Sequence, residues 1–167
     1  MLELLGKALC NLAFDLKALT IRSKVTAKGR YELRLIGPDG QVKEILCGSN
    51  LIVTTGKNGI ADLCLASPTI PKPSHMAIGT GVTGPAAGDT TLGTENCTRV
   101  ASAPTRGTNV LTFVATFAAA NGTGAVTEAG IFTQASVGGT LYSRIVFAAI
   151  NKGASDSLQL TWTWTIG

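Results

Sequence analysis

Residues 158–166 read Leu-Gln-Leu-Thr-Trp-Thr-Trp-Thr-Ile, an uninterrupted alternation of apolar and polar side chains. Successive side chains of a β-strand point to opposite faces of the sheet, so this period of two predicts a strand with one buried face. Trp162 and Trp164 would lie on that face, and Gln159 with the threonines on the other. Large aromatic side chains on a buried face indicate a hydrophobic core, so we predict that both tryptophans are structural core residues.

Further strands are predicted upstream at similarly short spacing. Glycine-containing turns separate them, which is typical of an antiparallel β-sandwich. The predicted strands cover residues 76–78, 97–103, 109–118, 125–133 and 140–150.

A hairpin is predicted near the N-terminus of this β-region. Residues 30–36 alternate between polar and apolar side chains, Gly37-Pro-Asp-Gly40 supplies a turn, and residues 41–46 return. A short helix is then predicted at residues 57–66, with Thr55 as its N-cap. Three prolines in the following segment would end that helix.

The first 28 residues are predicted to form an N-terminal helical arm. Five leucines at 4-3-4-3 spacing would line one side of a helix. These predicted interface residues are Leu5, Leu9, Leu12, Leu16 and Leu19. The predicted fold is therefore mainly β: an antiparallel β-sandwich over residues 29–167, with a helical arm over residues 1–28 and one short internal helix.

The composition favours a protein that binds other proteins. Charged residues make up 14% of the 167 residues, against about 25% in an average domain. So few charges indicate extensive burial against partners, and we predict a homo-oligomer. A net charge of +4 is too mild to indicate specific nucleic-acid binding. The sequence has no run of about 18 apolar residues and no basic n-region, so we predict no membrane partner and synthesis in the cytoplasm.

The sequence lacks the patterns of a catalytic, cofactor or metal site. Its cysteines, Cys10, Cys47, Cys64 and Cys97, are dispersed without a Cys-x-x-Cys pair, and His75 is the single histidine. No nucleophile motif accompanies His75, which we predict to face solvent. We therefore predict a protein that is not an enzyme and has no cofactor; whether the cysteines form disulfides stays open.

Two motifs in the β-region need a specific interpretation. Glu128 lies in an otherwise apolar predicted strand, where a carboxylate needs hydrogen bonds or a cation. Arg99 and Arg144 are the candidate partners, which makes Glu128 a predicted structural residue of the core. Gly79-Thr-Gly-Val-Thr-Gly84 has the spacing of a dinucleotide-binding loop. No helix is predicted to follow it, so we give it no phosphate-binding role.

Several segments resemble parts of tailed-bacteriophage virion proteins. They are residues 50–60, Ala77-Ile-Gly-Thr-Gly81 with Pro85 and residues 89–95, the strand Val126-Thr-Glu-Ala-Gly-Ile-Phe132, and residues 151–158 followed by the alternating residues 160–166. The resemblance implies a structural virion protein that decorates or cements the capsid or neck by contacts with capsid, neck or tail subunits. Which part of the virion it occupies, its copy number and its symmetry stay open.

Two alternatives to that role also stay open. A fibre or receptor-binding module of the tail would recognise a receptor or a carbohydrate, and a sugar site would need exposed aromatic side chains. A small hydrolase would need His75 or Glu128 in a cleft.

Overall fold

The computed structural model describes residues 25–167, and the predicted leucine stripe lies outside this range. The described chain is mainly β, as predicted. It contains nine strands and one helix, which we label in chain order. They are β1 (Ala27–Ile36), β2 (Val42–Ile52), α1 (Thr54–Asp62), β3 (His75–Gly79), β4 (Val100–Ala101), β5 (Thr105–Gly107), β6 (Val110–Phe117), β7 (Gly124–Phe132), β8 (Leu141–Lys152) and β9 (Ser157–Ile166).

All nine strands belong to one antiparallel sheet, curled into a half-barrel, with the order β4-β3-β7-β8-β2-β1-β9-β6-β5. The expected sandwich of two sheets is therefore replaced by a continuous one. Strand β2 makes the connection, because it pairs with β1 along most of its length and then with β8 through Leu51 and Ile52. A core of side chains from both halves of the sheet fills the concave side.

The N-terminal hairpin is confirmed as β1 and β2. Its turn closes with the Gly37 amide donating to the Gln41 carbonyl at 2.8 Å, and Gly40 has φ +78°, a conformation that favours glycine. Strand β1 begins at Ala27, so residues 27 and 28 belong to the sheet and not to the predicted arm.

Strand β9 is confirmed and lies between β1 and β6. Trp162 and Trp164 are buried on its concave side. The ring of Trp164 lies 4.8 Å from that of Phe113 on β6 and 5.9 Å from that of Tyr142 on β8. These contacts join the two halves of the curled sheet across the core.

The internal helix is present but lies at residues 54–62 instead of 57–66. Thr55 is inside it, and its hydroxyl donates to the Leu141 carbonyl at 2.7 Å instead of capping the helix. The N-cap is Val53, which makes no side-chain cap hydrogen bond. Gly56 sets this position, because a Cβ there would lie 2.1 Å from the Tyr142 carbonyl oxygen; the helix therefore packs directly on the backbone of β8.

The strand predicted at residues 97–103 is wrong for most of its length, since β4 covers Val100 and Ala101 alone. The backbone of Thr98 is paired with a side chain instead of a strand. Its N–H donates to Asn121 Oδ1 at 2.8 Å and its carbonyl accepts from Asn121 Nδ2 at 2.9 Å. Strand β5, which is absent from the predicted strands, forms the edge of the sheet opposite β4.

Candidate protein-interaction site

A buried carboxylate lies where a long loop crosses the sheet. Glu128, in the middle of β7, is fully buried. Its Oε1 accepts from the backbone N–H of Gly81 at 2.9 Å and of Thr94 at 2.7 Å, and its Oε2 from the N–H of Gly93 at 2.9 Å. These three amides belong to residues 80–95, which we call the anchored loop. One side chain thus binds both ends of a loop that follows β3.

The charge of Glu128 is balanced by Arg144 on β8. The guanidinium donates to Oε2 from Nε at 3.1 Å and from Nη2 at 2.8 Å. Of the two arginines that the sequence suggested, the structure therefore pairs Arg144 with Glu128. A buried ion pair is tolerated when further hydrogen bonds satisfy its remaining atoms, and here backbone amides supply them.

Arg144 extends the same network further into the loop. Its Nη1 donates to Asp89 Oδ2 at 2.8 Å, and its Nη2 to the Thr83 carbonyl at 3.0 Å. Asp89 in turn accepts from the Ala86 N–H at 2.9 Å. The anchored loop is therefore bound near its beginning, its middle and its end to two neighbouring strands.

The network keeps both carboxylates ionised. Burial raises the pKa of Glu128, but the N–H groups of Thr94 and Gly93 together with Arg144 lower it more, so the net pKa is below its ordinary value. The pKa of Asp89 is also lowered on balance: burial acts against the shift, and hydrogen bonds from Ala86 and Arg144 outweigh it.

Two glycines of the Gly79–Gly84 motif have a structural role in this network. A Cβ on Gly81 would lie 2.4 Å from Glu128 Oε1, and one on Gly79 would lie 2.3 Å from the Thr94 carbonyl oxygen. A side chain at either position would displace the loop from the carboxylate. Gly84 has open space around it. Because the amide of Gly81 is bound to a carboxylate, this loop is not arranged to bind phosphate.

A second buried arginine binds the β7–β8 connection. Arg99 forms a two-pronged ion pair with Glu95 at 2.8 and 2.9 Å. Its Nη1 donates to the carbonyls of Gln134 and Gly138 at 3.2 and 2.8 Å. Its guanidinium lies 3.6 Å from the centre of the Phe132 ring, a cation–π contact. The Arg99–Glu95 pair was not foreseen, although its spacing of four residues was visible in the sequence.

Each arginine therefore holds a loop that exposes an uncharged surface. Residues 82–88 of the anchored loop are all exposed and contain no charge; residues 135–139 of the β7–β8 connection share both properties. Val82 is 75% exposed and Val137 is 84% exposed. The structure thus has two preformed, partly apolar loop surfaces, each held in place by a buried arginine and its ion pair.

His75 was predicted to face solvent, but it is half-buried on β3. Its Nδ1 lies 2.8 Å from the hydroxyl of Ser74, and that hydroxyl donates to the Thr133 carbonyl at 2.8 Å. The Ser74 hydroxyl thus bridges the His75 ring and the backbone of Thr133. These contacts connect the start of β3 to the end of β7.

Three of the cysteines lie within residues 25–167, and all are free thiols there. Burial raises the pKa of the Cys97 thiol to about 11; its Sγ accepts from the Ile78 N–H at 3.1 Å. Cys47 and Cys64 are exposed. Across the described residues, no group of three or more His, Cys, Asp or Glu side chains is placed to hold a metal ion. No helix in that part of the chain is long and apolar enough to span a membrane.

Comparison of this chain with known proteins found no matching family model, no matching curated protein and no matching solved structure.

Proposed function

We propose that this chain is a non-enzymatic structural subunit of a tailed-bacteriophage virion, which decorates or cements the capsid or neck by binding other protein subunits. The observation that carries the proposal is the anchored loop: residues 82–88 form an exposed, uncharged surface fixed from beneath by the Glu128–Arg144 pair. A surface that is already ordered loses less conformational entropy when it binds, which favours its use as a protein contact.

The chemistry of both loop surfaces supports protein partners. Interface cores are depleted in charged residues, and the two loop surfaces, residues 82–88 and 135–139, carry none. By contrast, Trp162 and Trp164 are buried, so they do not offer the exposed aromatic surface on which sugar rings stack. This distribution favours a structural subunit over a sugar-binding fibre module.

Particle composition tests this proposal directly. Virions produced by a host whose genome encodes this chain are purified by density gradient and analysed by quantitative mass spectrometry. We expect the chain in intact particles at a fixed copy number relative to the major capsid protein. Absence of the chain from particles, with accumulation in the particle-free fraction, would overturn the virion role.

A pair of variants tests the contact surface. Val82→Asp places a charge at the tip of the anchored loop, whereas Val114→Asp places the same charge on β6, where Val114 is 47% exposed. Both exposed substitutions should leave the fold intact, as circular dichroism would verify. We expect Val82→Asp to reduce incorporation into particles and Val114→Asp to leave it unchanged. Equal incorporation of both variants would exclude this tip as a contact.

A further inference from the structure

An apolar groove lies beside α1, where the described chain begins. It has a volume of about 580 Å³ and is lined by Val25, Thr26, Ala27, Lys57, Ile60, Ala61, Cys64 and Ile166. Val25 at its rim is 84% exposed, and Leu63 and Leu65 near the end of α1 are 45% and 58% exposed. Apolar side chains gathered at one exposed place indicate a surface that another segment covers.

The wall that α1 contributes has the pattern of a helix-binding surface. Lys57, Ile60 and Ala61 are spaced i, i+3 and i+4, so they lie on one side of α1, and Cys64 follows in the turn after the helix ends. Ala61 and Cys64 are small and leave room for larger side chains between them. An amphipathic helix binds such a groove through apolar residues at the same spacing.

A segment with that spacing precedes the groove in this chain. The predicted stripe of Leu5, Leu9, Leu12, Leu16 and Leu19 lies before Val25, which itself lines the groove. The six residue steps from Leu19 to Val25 reach at most about 20 Å. That length lets the C-terminal part of the stripe turn back onto the groove next to its own point of attachment.

We propose that the N-terminal segment of this same chain covers the groove, with its leucine stripe packed against Ile60, Ala61 and Cys64. The inference does not depend on the virion role. A short connection gives the tethered segment an effective concentration on the order of millimolar, so its own groove is favoured over that of a second copy. Such an arrangement would bury two apolar surfaces, neither of which can remain exposed in water without cost.

The exposed thiol of Cys64 reports whether the groove is covered. In full-length protein with Cys10→Ser and Cys47→Ser, we would measure the rate at which a thiol reagent labels Cys64. Leu12→Asp and Leu16→Asp place a charge in the stripe, whereas Ala18→Asp places it on the opposite side of the predicted helix. We expect the two leucine variants to speed labelling several-fold and Ala18→Asp to leave it unchanged. One rate for all four proteins, or equal acceleration by Ala18→Asp, would overturn the proposal.

A disulfide variant distinguishes the same chain from a second copy. In the same background, Leu16→Cys would be oxidised so that it can pair with Cys64, and the product examined on a non-reducing gel. We expect a monomer that has lost two free thiols. A disulfide-linked dimer would instead assign the groove to the segment of a second copy, and no cross-link at all would contradict contact between the stripe and the groove.

Discussion

The two halves of the curled sheet are stabilised by different interactions. In the half formed by β1, β9 and β6, Trp162 and Trp164 pack in an apolar core while threonines cover the outer face. In the half formed by β3, β7 and β8, the buried Glu128 and Arg144 bind a loop by directed hydrogen bonds. Apolar packing holds strands together without specifying a loop conformation, whereas the ionic half fixes one conformation of its loop. The first half therefore supports the fold, whereas the second half holds a surface loop in one conformation.

Removing a tryptophan should give the largest and most general effect. Trp164→Ala leaves a cavity between Phe113 and Tyr142, and we expect it to lower the free energy of unfolding by about 3–5 kcal/mol. Urea unfolding monitored by circular dichroism measures this loss. Because Trp164 joins both halves, every part of the sheet should lose stability together. A loss below about 1 kcal/mol would mean that the core relaxes to fill the cavity.

Removing the carboxylate should give an effect of the same order that centres on the loop. Glu128→Leu removes the acceptor of the N–H groups of Gly81, Gly93 and Thr94 and one of the carboxylates that pair with Arg144. Breaking a buried ion pair costs about 3–5 kcal/mol. The matched variant Arg144→Met should cost less in urea unfolding, because Glu128 keeps its three amide donors. Equal losses would show that the ion pair matters more than the amide contacts.

Acid should weaken the ionic half through its two lowered carboxyl pKa values. Glu128 and Asp89 have pKa values below their ordinary ones in the folded protein. Their stabilisation is therefore complete above the ordinary carboxyl values near pH 4 and is lost as the pH falls through the lowered folded values. Urea unfolding between pH 6 and pH 2 should show this decline, and Glu128→Gln should flatten it. A decline of the same size in the variant would assign the acid sensitivity to other carboxyl groups.

A glycine substitution tests the closeness of the loop to the carboxylate. Gly81→Ala would bring a Cβ to 2.4 Å from Glu128 Oε1, whereas Gly84→Ala meets no atom within 4 Å. Overpacking of this kind costs about 1–3 kcal/mol. In thermal unfolding we expect a clear loss for Gly81→Ala and none for Gly84→Ala. Two unaffected variants would show that the loop can move away from Glu128 at little cost.

An exposed ion pair should give the smallest effect. Glu32 and Arg34 on β1 form a contact of 2.5 Å, but their side chains are 40% and 46% exposed. Exposed pairs contribute about 0.2–1 kcal/mol, so Glu32→Gln should leave urea unfolding nearly unchanged. A loss as large as that of Glu128→Leu would remove the distinction between buried and exposed charges on which the comparison depends.

The apolar half was predictable from the sequence because its signals are local. The alternation that ends at Ile166 and the turn at Gly40 each lie within one or two strands, and both predictions were confirmed. The curl of the sheet was not predictable, since it depends on two residues of β2 reaching β8 across about 90 residues of sequence.

The ionic half was predictable in outline only. Glu128 was visible as a charge in an apolar strand, but two arginines were equally available to it. Asp89 was missed because an aspartate among glycines and threonines is the ordinary composition of a solvated turn. The Arg99–Glu95 pair was missed because a spacing of four residues indicates contact in a helix, and this segment is not helical.

Amide hydrogen exchange at Gly81, Gly93 and Thr94 tests most directly whether Glu128 fixes the anchored loop. In the wild-type protein these three amides should exchange slowly although they lie in a loop, while the exposed residues 82–88 exchange quickly wherever their amides are unbonded. In Glu128→Gln the three should become several-fold faster with the sheet amides unchanged. Fast exchange of all three in the wild-type protein would contradict the account, because the loop would then be mobile and not a preformed contact surface.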